Sequence, residues 1–389
     1  MLNFQFYNPA RIIFGKGEEK NVGKYTVEYG KRVLLHYGGG SIKKSGLYDN
    51  VIKALKEYDI EIIELGGVCP NPVISLVRKG IEICKNEKID FILAVGGGSV
   101  IDSAKAIAAG AETDDDIWEY FMDRDKKIKS ALPLGVILTI PATGSESSTS
   151  SVITNDENLF KRSIKSTEYI PKFSILNPEL TFTLPKYQVA CGCSDILSHL
   201  MERYFTQVDK VDFTDRLLEA SMKTVILNAP IAVNEQYDYN IMAEIMWVGT
   251  LAHNGLLNTG RIGDWASHHI EHELSALYNL THGAGLSIIT PAWIKYVYKE
   301  NIDKFIQFAH RVFDIDFAYN EKERIITEMI KRLENWYKSL DLPIRLSEVE
   351  IDSSDFKKMA EKCLVGRGTT GNFKKLGLED ICNIYKLAL

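Results

Sequence analysis

The 389-residue sequence has no apolar run long enough to span a bilayer. Its first residues, MLNFQFYNPARIIFGKG, alternate apolar and polar side chains rather than forming the apolar core of a signal peptide, so they are expected to be a strand of the mature fold. Charge of one sign is also scarce. The formal net charge is -6 with both signs spread along the chain, which leaves no basic stripe for nucleic-acid phosphates. The six cysteines show neither metal-finger nor redox spacing, and a chain of this length needs no disulfide staples. A reducing cytoplasm is the expected location. No internal repeat or low-complexity tract is present.

What is present is ordinary globular material, 45% apolar and 25% charged, in a chain long enough to predict two domains. Apolar runs alternate with amphipathic stretches through the first half. Strands are expected at residues 32–37, 60–65, 89–95 and 133–140, and helices at about 45–58, 72–86 and 99–109. Short β-rich pieces follow at 151–154, 161–166 and 173–176. From Pro185 onward the apolar spacing is helical. The expected fold class is therefore α/β plus all-α, with a parallel sheet covered by helices over residues 1–180 and a helical domain over 181–389. In such parallel sheets, ligands sit at the carboxyl ends of the strands.

Three strand ends carry loops suited to a dinucleotide. Gly96-Gly97-Gly98-Ser99 follows a buried strand and opens a helix, where free amides and the helix dipole favour a pyrophosphate. The same residues also fit a plain turn in which Ser99 and Asp102 form a capping box. Gly38-Gly39-Gly40-Ser41 departs from the G-x-G-x-x-G spacing. No acidic residue stands at that strand tip, and Ser41 with Lys43 suits a 2′-phosphate, which points to NADP. The third loop, residues 139–148, reads TIPATGSESS, and its hydroxyls suit a ribose, a phosphate or a carboxamide, or simply a polar surface.

Four of the eight histidines fall between Trp265 and Gly285, in WASHHIEHELSALYNLTHGAG. Upstream, Asp195 and His199 stand four apart on a helical pattern and share a face. A carboxylate with three neutral imidazoles suits Fe²⁺ or Zn²⁺. His269 should face away from His268. His272 should lie one turn from His268, within reach to relay a proton without ligating. The run from His268 to His272 also matches the H-x-x-E-H of inverted zinc peptidases, but that reading leaves the glycine loops, Asp195, His199 and His282 without a role. His36, His253 and His310 have no motif around them and read as structural or solvated.

Taken together, FQFYNPARIIFGKG, YGGGSIKKSGLY, the Pro70-Asn71-Pro72 turn, VGGGSVIDSAKAIA, LTIPATGSESS, the Asp195/His199 pair, DWASHHIEHELSA, THGAGL and GNFKKLGLEDI resemble the iron-containing (group III) alcohol dehydrogenases, in the butanol dehydrogenase and aldehyde reductase branch. The resemblance runs over essentially the whole chain. It implies a dehydroquinate synthase-like pair of domains, a Rossmann-like dinucleotide-binding domain at 1–180 and a helical metal-binding domain at 181–389, with metal ligation by Asp195, His199, His268 and His282. It places cofactor contacts at Gly38, Gly39, Ser41, Asn71, Gly97, Gly98, Ser99, Asp102, Thr139, Thr143, Ser148 and Lys161. It further implies a homodimer joined partly through the first strand. The expected reaction is metal-dependent hydride transfer between NAD(P)H and small aldehydes such as butanal, with NADP favoured, NAD admitted, and His272 as the proton relay. The alternatives are a cyclising synthase of the dehydroquinate synthase type and a catalytically silent metal- and nucleotide-binding protein.

Overall fold

The structure is a computed structural model describing residues 1–123, 125–235, 237–316 and 321–389. Residues 91–96 read FILAVG, apolar on both faces, so a strand built from them must be covered on both sides. All six are buried. The strands are β1 (Arg11–Phe14), β2 (Arg32–Gly38), β3 (Glu61–Val68), β4 (Phe91–Gly96), β5 (Leu134–Leu138), β6 (Ser150–Asn155), β7 (Phe160–Lys165) and β8 (Phe173–Leu176). Six of them form one sheet in the order β1-β8-β5-β4-β2-β3, with every pairing parallel. Alternate residues feed two cores. Leu34, Ile92, Ala94 and Val136 pack into one, and Val33, Leu35, Leu93, Val95 and Ile137 into the other. β6 and β7 form a separate antiparallel pair.

Two expectations shorten on inspection. The first strand covers only Arg11–Phe14, because its partner β8 offers four residues for pairing, Arg11 opposite Phe173 through Phe14 opposite Leu176. The helix expected over 45–58 covers Leu47–Lys56, after a separate short helix at Ser41–Lys44. Gly46 lies between them at φ +78, a left-handed conformation that interrupts the helix.

The chain forms two compact units. One comprises Tyr7–Leu184 and Tyr237–Met246, and the other Met1–Phe6, Pro185–Gln236 and Trp247–Leu389. The expected boundary at 180 falls four residues before the Leu184/Pro185 junction. The first unit holds the sheet and the helix α1 (Gly98–Ala111). The second is helical and contains α2 (Lys186–Tyr204), α3 (Ala266–Tyr278) and α4 (His282–Val297). α2 packs against α4, and α4 against α3. From Val189 to Tyr204 every residue of α2 is buried, including Asp195, His199, Glu202 and Arg203. A helix enclosed all round must satisfy such groups internally. Among the described residues no helix is long and apolar enough to cross a membrane, and all six cysteines are free.

His36 is the structural histidine of the sheet unit. It is fully buried, with Nδ1 2.8 Å from the Leu65 carbonyl and Nε2 2.9 Å from Ser103 Oγ. Burial lowers its pKa to about 4, against a smaller upward pull from the Leu65 carbonyl. Below pH 6.5 the unfolded chain therefore gains a proton that the native ring refuses, and stability falls as pH drops towards 4. That gap is worth roughly 3 kcal/mol. Urea unfolding at pH 7 and pH 4.5 should accordingly show a smaller acid-induced loss in His36→Gln than in the parent; equal losses would refute this account.

Candidate metal centre and nucleotide cradle

Asp195 and His199 occupy successive turns of α2, with His199 Nδ1 3.4 Å from Asp195 Oδ1. His268 in the first turn of α3 and His282 at the start of α4 each bring Nε2 to 3.7 Å from the same carboxylate oxygen. The ligand atoms of Asp195, His268 and His282 all lie within 4.8 Å of one another. The His199 and His268 rings lie 4.6 Å apart. The two glycines of THGAG explain the approach. A Cβ on Gly283 would stand 2.0 Å from the Cys191 carbonyl of α2, so only glycine lets α4 begin there, and Ser194 Oγ fixes it by donating to the Gly283 carbonyl at 2.6 Å.

The donor set fits a dication. Asp195 Oδ1, His199 Nδ1 and His268 Nε2 are buried and have no hydrogen-bond partner, an arrangement that costs about 1–3 kcal/mol per group unless something else engages them. Burial disfavours charge on His268, yet Asp195 and Glu202 together outweigh it and hold its pKa up to about 9. The pocket therefore stabilises positive charge at this point. His199 is driven the other way, well below its ordinary value, by burial and by the neighbouring imidazoles of His253 and His268.

Two carboxylates absent from the sequence reading of the centre stand behind these ligands. Glu202 Oε1 lies 3.1 Å from His268 Nδ1 and accepts the His268 amide at 3.0 Å, while its Oε2 accepts the Trp265 amide at 2.5 Å. It thus anchors Trp265, a non-glycine residue at φ +71 that begins α3. Glu271 is bonded to His282 Nδ1. The i, i+3 relation of His199 and Glu202 in the sequence could have signalled the first.

The remaining histidines divide. His269 turns away and bonds Thr370 Oγ1 at 2.8 Å. His272 is buried, 5.7 Å by ring centroids from His282. His310 lies 3.1 Å from the Ile315 carbonyl. His253, which the sequence marked as structural or solvated, packs its ring 4.4 Å from His199 and 5.6 Å from Trp265. No motif surrounds it, so only folding reveals that position. The closing GNFKKLG segment is also explained, since Asp264 Oδ1 accepts the Asn372 and Phe373 amides at 2.7 and 2.6 Å.

In the sheet unit the glycine loops lie at carboxyl ends of strands as expected. Gly97 is the N-cap of α1 and carries no side-chain capping bond. The capping-box alternative is therefore not what forms, because Asp102 instead accepts Ser145 Oγ at 2.5 Å and the Val152 amide at 3.0 Å. A Cβ on Gly98 would meet Thr143 Oγ1 at 2.4 Å, so the loops around Gly97-Gly98-Ser99 and Thr139–Thr143 are neighbours. Beneath them is a group the sequence did not disclose. Lys105, fully buried, donates to Ser145 Oγ at 3.0 Å, the Ser148 carbonyl at 2.8 Å, Ser148 Oγ at 3.3 Å and the Ser150 carbonyl at 2.9 Å. Asp102 and Ser148, expected as cofactor contacts, thus spend polar atoms inside the loop. Lys161, 4% exposed, donates to Asn71 Oδ1 at 2.9 Å, bringing two other expected contacts together.

At the β2 tip, a Cβ on Gly39 would meet open space and one on Gly38 the Val68 carbonyl at 3.4 Å, Gly40 adopts φ +120, and Ser41 is exposed. One correction concerns charge. Glu64 of β3 accepts Tyr37 OH at 2.8 Å and Tyr48 OH at 2.6 Å and sits 3.8 Å from Lys43 Nζ. Lys43 is therefore already paired with a carboxylate from the adjacent strand, which the β2 sequence alone could not show.

Known proteins resemble this chain over its full length. Residues 9–178 match the family model for iron-containing alcohol dehydrogenase, and residues 189–389 match the C-terminal model of the Fe-containing alcohol dehydrogenase family. The chain is 45% identical over 389 residues to probable NADH-dependent butanol dehydrogenase 1 of Bacillus subtilis, covering 100% of both chains. It is 37% identical to the NADPH-dependent aldehyde reductase YqhD of Escherichia coli, covering 93% of each. The crystal structure of NADH-dependent butanol dehydrogenase A from Thermotoga maritima superimposes with a TM-score of 0.96 at 41% identity, covering 100% of this chain and 99% of that one.

If Asp195, His199, His268 and His282 hold the metal, His268→Ala and His282→Ala should each purify with little bound iron or zinc while still binding NAD(P)H. Elemental analysis paired with nucleotide fluorescence titration checks this, and full metal content in both variants would overturn the ligand assignment.

Proposed function

This chain belongs to the iron-containing alcohol dehydrogenase family, and from that premise we propose that it interconverts small aldehydes such as butanal with their primary alcohols, using NAD(P)H as hydride donor. The observation that carries the reading is the buried convergence of three imidazoles on Asp195 Oδ1. When bound, a divalent iron or zinc ion polarises the carbonyl oxygen and the reduced nicotinamide supplies the hydride. Asp195, His199, His268 and His282 would hold that ion. The helix start at Gly97-Gly98-Ser99 would take the pyrophosphate on its free amides. Gly38, Gly39 and Ser41 would receive the adenosine ribose, and Asn71, Thr139, Thr143 and Lys161 would complete the cradle, with Asp102 and Ser148 supporting it from within.

His272 would deliver the proton that completes the alcohol. It stands one turn beyond His268 on α3 and near His282, so it can hand on a proton without being needed as a ligand. The absence of an acidic residue within the β2-tip loop still favours NADPH, but Lys43 paired with Glu64 offers little net charge to a 2′-phosphate. Both nucleotides should therefore be accepted, in keeping with relatives named for each.

The chain is proposed to act as a homodimer. Leu2, Phe4 and Phe6 alternate along the N-terminus at 42%, 55% and 45% exposure, apolar surface that a second copy would cover. Analytical ultracentrifugation should give a dimer for the parent and a monomer for the Phe4→Glu/Phe6→Glu variant; a monomeric parent would end this proposal.

Butanal should drive steady, stoichiometric oxidation of NADPH and of NADH with butanol as product. Neither a cyclising synthase nor a silent binding protein would do so, and absence of turnover with metal bound would reject the proposed activity. In the same assay His272→Ala should be slowed roughly 10²-fold or more with its metal retained. Loss of metal from that variant would instead identify His272 as a ligand.

A further inference from the structure

Glu271 has a setting distinct from that of Glu202. It is completely buried, and its carboxylate touches His282 Nδ1 through Oε2 and Ser275 Oγ through Oε1 at 2.5 Å. A buried carboxylate is tolerated only when donors meet it, and here both donors come from the rim of the metal centre. Room for it is provided by one residue of α4. A Cβ on Gly285 would lie 2.5 Å from Glu271 Oε1 and 2.6 Å from Cγ, so this glycine admits the carboxylate. Ser275, one turn later on α3, sets its orientation.

With Nδ1 engaged by Glu271, the His282 ring presents Nε2 towards Asp195 at 3.7 Å. Glu202 imposes the same polarity on His268, whose Nε2 is also 3.7 Å from Asp195 Oδ1. Two carboxylate-histidine pairs thus aim the same ring nitrogen at one point. We propose that Glu271 is a positioning residue which fixes the His282 tautomer and ring direction and thereby sets how tightly the dication is held, with Ser275 and Gly285 as its supports. A hydrogen-bonded carboxylate behind an imidazole makes it a stronger donor and removes the entropy of orienting it. Glu202 shares this duty with anchoring the α3 N-terminus, whereas Glu271 lies beyond the first turn of α3, so its substitution leaves that anchor in place. The inference rests on the ligand assignment above.

Chelator competition on the purified full chain, loaded with Zn²⁺, gives the dissociation constant directly. Glu271→Gln should weaken Zn²⁺ binding by roughly 10- to 100-fold, Ser275→Ala should weaken it less, and both should bind NAD(P)H as the parent does. The visible bands of the Co²⁺-loaded protein should shift in Glu271→Gln, which a purely structural residue would not cause. Unchanged affinity and unchanged bands would overturn the proposal. Glu271, His272 and His282 also offer ligand atoms within 4.8 Å of one another. If Glu271→Gln abolished binding while Asp195→Asn kept it, Glu271 would be a ligand and the positioning role would fall. If instead Asp195→Asn and His268→Ala both kept parental affinity while Glu271→Gln weakened it, the ligand assignment would fail rather than the role of Glu271. Should Glu271→Gln lose its fold, as judged by lost nucleotide binding, the Ser275→Ala affinity and its Co²⁺ bands decide.

Discussion

The helical unit is organised around one carboxylate oxygen. Asp195 Oδ1 is buried without a hydrogen-bond partner and has three imidazole nitrogens within 3.7 Å. Each buried group left without a partner carries a desolvation cost. A dication held there would supply a partner for Asp195 Oδ1, His199 Nδ1 and His268 Nε2 at once. Metal binding and the stability of the region around α2, α3 and α4 are therefore two aspects of one interaction.

The surrounding sequence serves that point through close approaches and buried polar anchors. Gly283 lets α4 start against Cys191, and Gly285 makes space for Glu271. Trp265 accepts a left-handed backbone because Glu202 binds its amide, and Arg203 lies 4.6 Å over its ring while donating to the His199 carbonyl at 2.8 Å. Asp264 ties residues 372–373 to the beginning of α3. Strain at the start of the helix is thus offset by charge-assisted hydrogen bonds, the usual way a functional site keeps an unfavourable backbone.

Much of this was legible in the sequence because its physics is local. A run such as FILAVG specifies a doubly covered strand, and a D-x-x-x-H spacing places two donors on one helix face. Triple glycines ending strands mark the loops at the strand ends. The parts that escaped depend on groups distant in the chain. Glu202 meets His268 across 66 residues, Lys105 reaches Ser148 across 43, and Glu64 meets Lys43 only because β3 lies beside β2. Asp102 admits a local reading as a cap beside that of a cofactor contact, but its carboxylate is bonded by Ser145 and the Val152 amide, which no local pattern shows. The N-terminal alternation was read as one long strand, although pairing is limited by the length of β8 rather than by the pattern itself.

Lys105 shows how the sheet unit solves a problem opposite to that of the metal centre. A hydroxyl-rich loop beside a glycine loop would ordinarily be adaptable, and ordering it on binding would reduce affinity. Here an ammonium group with no exposure is bonded to both ends of the segment from Ser145 to Ser150, and Asp102 accepts from Ser145 Oγ at its start and from the Val152 amide of the adjoining strand. Burial drags the Lys105 pKa down to about 8 while the charges of Asp102 and Glu146 pull it upward, so the cation is retained by its neighbours rather than by water. The metal centre keeps donors unsatisfied for an incoming ion. The loop satisfies its own polar groups in advance, leaving the backbone of Gly97-Gly98 and the hydroxyl of Thr143 already set at the start of α1, so that a nucleotide bound there would not first have to order them.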